Sequence, residues 1–183
     1  DFTEDLTIAG WYKTPVSATQ SDHGILIDKV YTSAWRIYTN RTDMNAPLLY
    51  VGNGYIVASS DYADGKWHFM TAVYSDTGNY LKLYMDGALD NENTSFTNTL
   101  SANDMRIGST TGGDYHLLGN ANEISIWNAA FSLAEVQELF NDGVALDAIK
   151  HSVYIGDNAK LRGYWRNDGA VSWEDRSDNS NDS

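Results

Sequence analysis

The residue types able to do chemistry are dispersed along this chain. Its four histidines, His23, His68, His116 and His151, lie far apart, with no two at metal-ligand spacing. Cysteine is absent, which removes thiol catalysis, disulfides and Cys-based zinc sites. Neither a nucleophile elbow nor a phosphate-binding glycine loop occurs. The aromatics offer more, because six Trp and 12 Tyr provide faces on which sugar rings can stack. Trp11, Trp67 and Trp127 fall in strand-like runs and are expected in the core, with His68 an ordinary strand residue beside Trp67. Tyr31, Trp35, Tyr62 and Tyr115 fall in or beside loops. They are the candidate ligand-stacking residues, with loop packing as the alternative role. Asp114 precedes Tyr115 in a Gly-rich loop and pairs an acceptor with a platform, as a sugar site would.

The elements that must position these side chains are mostly strands. From Leu6 to Lys13, Leu6, Ile8 and Gly10 alternate with Thr7, Ala9 and Trp11, and both faces are apolar enough for a central strand in a two-sheet stack. Further strands are expected at 24–28, 34–39, 47–51, 55–58, 67–74, 80–85 and 105–108. Asn53-Gly54 and Asp86-Gly87 supply turns. The stretch 90–103 is polar and reads as a long loop or a weak strand. Asn122 to Asn128 alternates again and runs into a helix, where Ser132 and Glu135 form a capping box and Asn141-Asp142-Gly143 supplies a stop. Many short strands and one helix predict an all-β sandwich.

Composition sets limits on partners. Twelve basic against 25 acidic residues give a formal charge of −13, which repels a phosphate backbone and argues against nucleic acid. No long apolar run or secretory signal is visible, so no membrane segment is expected. A length of 183 residues suits one domain, or one domain and a piece of another. The start at Asp1, directly before a strand, suggests a piece of something longer.

Several segments carry a family resemblance. Leu6-Thr7-Ile8-Ala9-Gly10-Trp11, Gly65-Lys66-Trp67-His68, Leu81-Lys82-Leu83-Tyr84-Met85-Asp86-Gly87, Met105-Arg106-Ile107-Gly108 and the strand–cap–helix run from Ile124 to Gly143 come in one order. In that order the chain resembles laminin-G-like domains of the concanavalin A-like lectin/glucanase superfamily, over about residues 2–145. The resemblance implies an antiparallel, jelly-roll β-sandwich with one short helix, spanning residues 1–150. Residues 151–183 form a C-terminal segment whose Lys160 to Gly169 run resembles the opening strand of such a domain. It either adds a strand to the same sandwich, the preferred reading, or begins a second copy.

Function is expected along the same lines. Retaining endoglucanases of the superfamily carry Glu-x-Asp-x-x-Glu on one strand, since their reaction needs two carboxylates about 5 Å apart. Here Glu123 is followed by Ile124, Ser125, Ile126 and Trp127, so its face holds no second carboxylate and no enzyme is expected. Many laminin-G-like domains hold one calcium ion, and the Asp-Glu pair usual on the last strand is Asn122-Glu123 here. Asn122 and Glu123 are thus candidate metal ligands, at reduced charge, with hydrogen bonding to a neighbouring loop as the alternative. The resemblance implies a non-catalytic recognition or adhesion module for glycan or protein, within a larger extracellular or virion protein. The rival is a structural domain of a phage virion protein, a capsid decoration or fibre, contacting identical or neighbouring subunits without a small ligand.

Overall fold

The computed structural model describes residues 5–16, 24–29, 35–41, 46–95, 104–169 and 173–179. The strands among them are β1 (Leu6–Lys13), β2 (Gly24–Lys29), β3 (Trp35–Arg41), β4 (Ala46–Val51), β5 (Gly54–Val57), β6 (His68–Ser75), β7 (Tyr80–Met85), β8 (Ala88–Asn93), β9 (Arg106–Ile107), β10 (Asn120–Trp127) and β11 (Leu161–Trp165). They form two antiparallel sheets, in the order β11-β10-β1-β6-β7-β8 and β5-β4-β3-β2-β9. Helix α1 (Leu133–Phe140) follows β10, and a five-residue helix α2 (Ser152–Gly156) precedes β11. No helix among the described residues is long and apolar enough to cross a membrane.

The sandwich of the expected class is present, and β1 shows why its two faces are both apolar. Leu6, Ile8 and Tyr12 point into the core between the sheets, whereas Ala9 and Trp11 join a second core beneath α1. That second core holds Phe69, Trp127, Phe131, Val136 and Leu139. Each face therefore removes apolar area from water, worth about 25 cal/mol per Å². Helix α1 begins as its sequence predicts: Ser132 accepts from the Glu135 amide, and the Glu135 carboxylate accepts from the Ser132 amide at 2.6 Å.

One register device lies outside any alternation rule. Strand β10 carries an extra residue opposite Gly10, and Glu123 takes a left-handed φ of 52° there. A Cβ on Gly10 would lie 2.4 Å from Ile124 Cδ1, so a larger residue here would make that buried side chain move.

Two other segments differ from, or go beyond, the sequence reading. Ala88–Asn93, whose last four residues open the stretch 90–103 expected as loop or weak strand, is the outer strand of its sheet. An edge strand with little buried side chain keeps a polar sequence, which hides it from pattern reading. In the C-terminal segment β11 pairs with β10, Ile124 facing Trp165, so it belongs to the six-stranded sheet. Tyr164 and Trp165 are buried there, and residues 173–179 return over them, with the Tyr164 amide donating to Asp175.

Candidate functional site

The outward face of the five-stranded sheet carries a continuous row of chemistry-bearing side chains. Trp35, Ile37, Leu49, Val51 and Ile56 point into the inter-sheet core, so their alternating neighbours point away from it. Strand register places Tyr55 opposite Tyr50, Tyr50 opposite Arg36, Arg36 opposite Asp28, and Asp28 opposite Arg106. All five strands of the sheet thus contribute one residue each. The Tyr50 and Tyr55 rings lie 5.5 Å apart, and Tyr38 meets Tyr50 edge-on at 6.1 Å. The Arg41 guanidinium sits 5.5 Å above the Tyr50 ring and donates to its hydroxyl. Arg36 lies over Tyr38 and donates to that hydroxyl at 3.0 Å. At the two ends Tyr55 is 48% exposed and Arg106 is exposed, whereas the central Arg36–Asp28 pair is buried.

Asp28 ties this face to the loop after β9. One carboxylate oxygen accepts from Arg36 Nε at 2.6 Å and the other from the Thr111 amide at 2.7 Å. The loop closes on itself, with the Asp114 amide donating to the Thr110 hydroxyl and the Thr110 amide to the Tyr115 carbonyl. Arg106 also donates to the Thr110 carbonyl. Asp114 and Tyr115 are both exposed on it, at the β9 edge of the sheet that carries the row.

The other predicted site residues have separate fates. Tyr31 lies outside the described residues. Trp35 is corrected: it is 1% exposed and belongs to the inter-sheet core, so it has no face to offer a ligand. Tyr62 is half-buried, donates to Asp90 at 3.0 Å and meets the His68 ring edge-on at 5.0 Å. Burial and the Asp90 carboxylate push its phenol up to about 12. His68 is a strand residue as expected, the first of β6, and its ring bridges Asp86 at 2.8 Å and Asp64 at 3.0 Å. The Lys66 ammonium and amide, with His68, hold the Asp64 carboxyl well below the usual range. Trp67, expected in the core, is 44% exposed and lines an open pocket of about 240 Å³ with Trp11 and Asn122.

Asn122 and Glu123 do not offer a cation their oxygens. Glu123 is 5% exposed; one oxygen lies 3.1 Å from Arg166 Nε and the other accepts from the Tyr164 hydroxyl. The Asn122 carbonyl accepts from two amides, of Glu123 at 2.9 Å and Asn167 at 2.8 Å. Burial and the Glu123 carboxylate push the Tyr164 phenol up, so it stays a donor. Among the described residues no three His, Cys, Asp or Glu side chains group as a metal site would. The calcium implied by the family resemblance therefore does not fit these residues.

Comparison with known proteins places this architecture. The family model for laminin-G domains of the concanavalin A-like lectin/glucanases superfamily matches residues 1–137, and the chain belongs to that family. No curated protein matches the sequence significantly. Among solved structures, a Bacteroides ovatus protein to which carbohydrate binding is ascribed aligns with a TM-score of 0.73 at 12% identity, over 96% of this chain and 50% of its own. A heptameric SAP-like pentraxin from Limulus polyphemus aligns at 0.55 and 15% identity, over 75% of this chain and 70% of its own. Botulinum neurotoxin type C, which depends on two ganglioside molecules to enter cells, aligns at 0.59 and 16% identity, over 76% of this chain and 36% of its own. The chain thus spans half the length of the Bacteroides protein and about a third of the toxin chain. At these identities the likeness is one of fold.

Proposed function

We propose that this domain is a non-catalytic recognition module that binds glycan on the outward face of its five-stranded sheet, in a larger protein displayed outside the cell or on a virion. The observation that carries the reading is the Tyr55–Tyr50–Arg36–Asp28–Arg106 row, flanked by Arg41. Exposed Tyr55 and Arg106 and half-buried Tyr50 and Arg41 are within a ligand's reach, and the buried Arg36–Asp28 pair ties together the strands that carry them. Tyrosine faces stack on the apolar faces of sugar rings, and guanidinium N–H groups donate to ring hydroxyls or carboxylates. The Asp114–Tyr115 loop borders the same sheet and adds an acceptor and a second exposed ring. Fold relatives whose names speak of carbohydrate or ganglioside support a sugar over a protein surface. Asp28, the acidic member of the row, is committed to Arg36 and Thr111.

Calorimetric titration against a glycan panel tests this reading. Saturable heats are expected from the native domain, and Tyr55→Ala should lower affinity about tenfold through loss of one stacking face. Because Tyr55 is exposed, the same substitution should leave stability within about 0.5 kcal/mol of the native value. Native binding that survives Tyr55→Ala at full strength would remove the row from the site.

A further inference from the structure

The mismatch between the Asn122–Glu123 pair and a calcium ion has a positive counterpart. We infer that Arg166, placed by the C-terminal segment, is the built-in counter-ion of Glu123, so that the Asn122–Glu123 corner of the sandwich folds without a divalent cation.

Geometry carries this assignment. The bulge at Glu123, with its left-handed φ of 52°, sets the carboxylate among residues of β11 and the segment after it. There the Arg166 guanidinium lies 3.1 Å from one oxygen, and the Tyr164 hydroxyl donates to the other. Asp147 approaches the same guanidinium at 3.7 Å, so two carboxylates converge on one fixed positive charge. A calcium ion needs six to eight oxygen ligands at ~2.3–2.6 Å. Here one Glu123 oxygen already accepts from the Tyr164 hydroxyl, the other is ion-paired with Arg166, and the Asn122 side-chain oxygen accepts from two backbone amides. Seating an ion would require expelling Arg166 and turning Tyr164 away from a buried carboxylate.

The β10–β11 pairing supplies the mechanism. Ile124 faces Trp165 and Ser125 faces Tyr164, so the register that adds β11 to the sheet also delivers the phenol and guanidinium to Glu123. Charge neutralisation and docking of the segment are one event. A carboxylate 95% covered and without such a partner would be strongly destabilising.

Thermal unfolding of the whole chain, in calcium and in EDTA, is the first arm of the test. Equal melting temperatures are expected; a rise with calcium or a fall with EDTA would overturn the inference. The second arm is a double-mutant cycle. Arg166→Met should lower Tm by about 5 °C by stranding a buried charge whose partner is partly exposed, and Glu123→Gln on that background should recover most of the loss. Arg166→Lys keeps the charge and should fall by less than Arg166→Met, which separates lost charge from lost packing. Strictly additive losses in the cycle would overturn the assignment. Neither arm uses a glycan, so a failed glycan reading and a failed counter-ion reading are told apart.

Discussion

Removing the Asp28 carboxylate should show how strongly one side chain holds the candidate face together. Asp28 is wholly buried, and its two oxygens accept from Arg36 and from the Thr111 amide. Asp28→Ala takes the carboxylate from the Arg36 guanidinium, whose side chain is 11% exposed, at a cost of about 3–5 kcal/mol for breaking a buried ion pair. The released Thr111 amide adds about 1 kcal/mol, a modest term because the loop can turn it toward water. The expected loss is therefore about 5 kcal/mol, or a fall in Tm of roughly 15 °C for a domain of this size. Urea unfolding followed by tryptophan fluorescence measures it. Arg36→Met on the Asp28→Ala background should return a large share of that loss, since an apolar pair of similar volume replaces two desolvated charges. Glycan affinity should stay low in the double variant, because the loop bearing Asp114 and Tyr115 has lost its anchor. A single-variant loss below about 1 kcal/mol would refute the reasoning, as it would mean that water reaches the pair.

Two further outcomes follow from the backbone and the core. Gly119 and Gly113 both have positive φ, but a Cβ at Gly119 would lie 1.9 Å from the Lys13 carbonyl oxygen, whereas at Gly113 nothing is within 4 Å. Gly113→Ala should cost about 1–2 kcal/mol for conformation alone, and Gly119→Ala several kcal/mol more, as it pushes β1 from the start of β10; equal losses in chemical denaturation would contradict that contact. Leu83 is fully buried opposite Ala72, so Leu83→Ala should cost about 2–5 kcal/mol by the same assay, and a negligible change would refute the β6–β7 register.

The residues read wrongly share a cause. Trp35 opens β3 and Trp67 lies just before β6, where a two-residue period has too few members to assign a face. The opposite sheet covers Trp35, and nothing comparable covers Trp67, so one is core and the other is 44% exposed. Neither outcome depends on the residues beside them in sequence. Asn122 and Glu123 were singled out by family resemblance, and their actual partners, Tyr164, Arg166 and Asn167, lie on a segment that only β-pairing brings near.

What the chain alone determined is local. The double-faced β1, the hairpin turning at Gly52-Asn53, the capped start of α1 and the absence of thiol chemistry rest on side-chain period, turn preference and capping, which act over a few residues. The family segments added the sandwich, because their order carries more than any one of them. Tertiary structure decided the row from Tyr55 to Arg106, the Asp28 anchor and the Glu123–Arg166 pair. Each joins strands that are distant in sequence through a register fixed by burial of opposite faces, with a one-residue bulge at Glu123 resetting it. Register is a property of the packed pair of sheets, so it becomes readable only once both are in place.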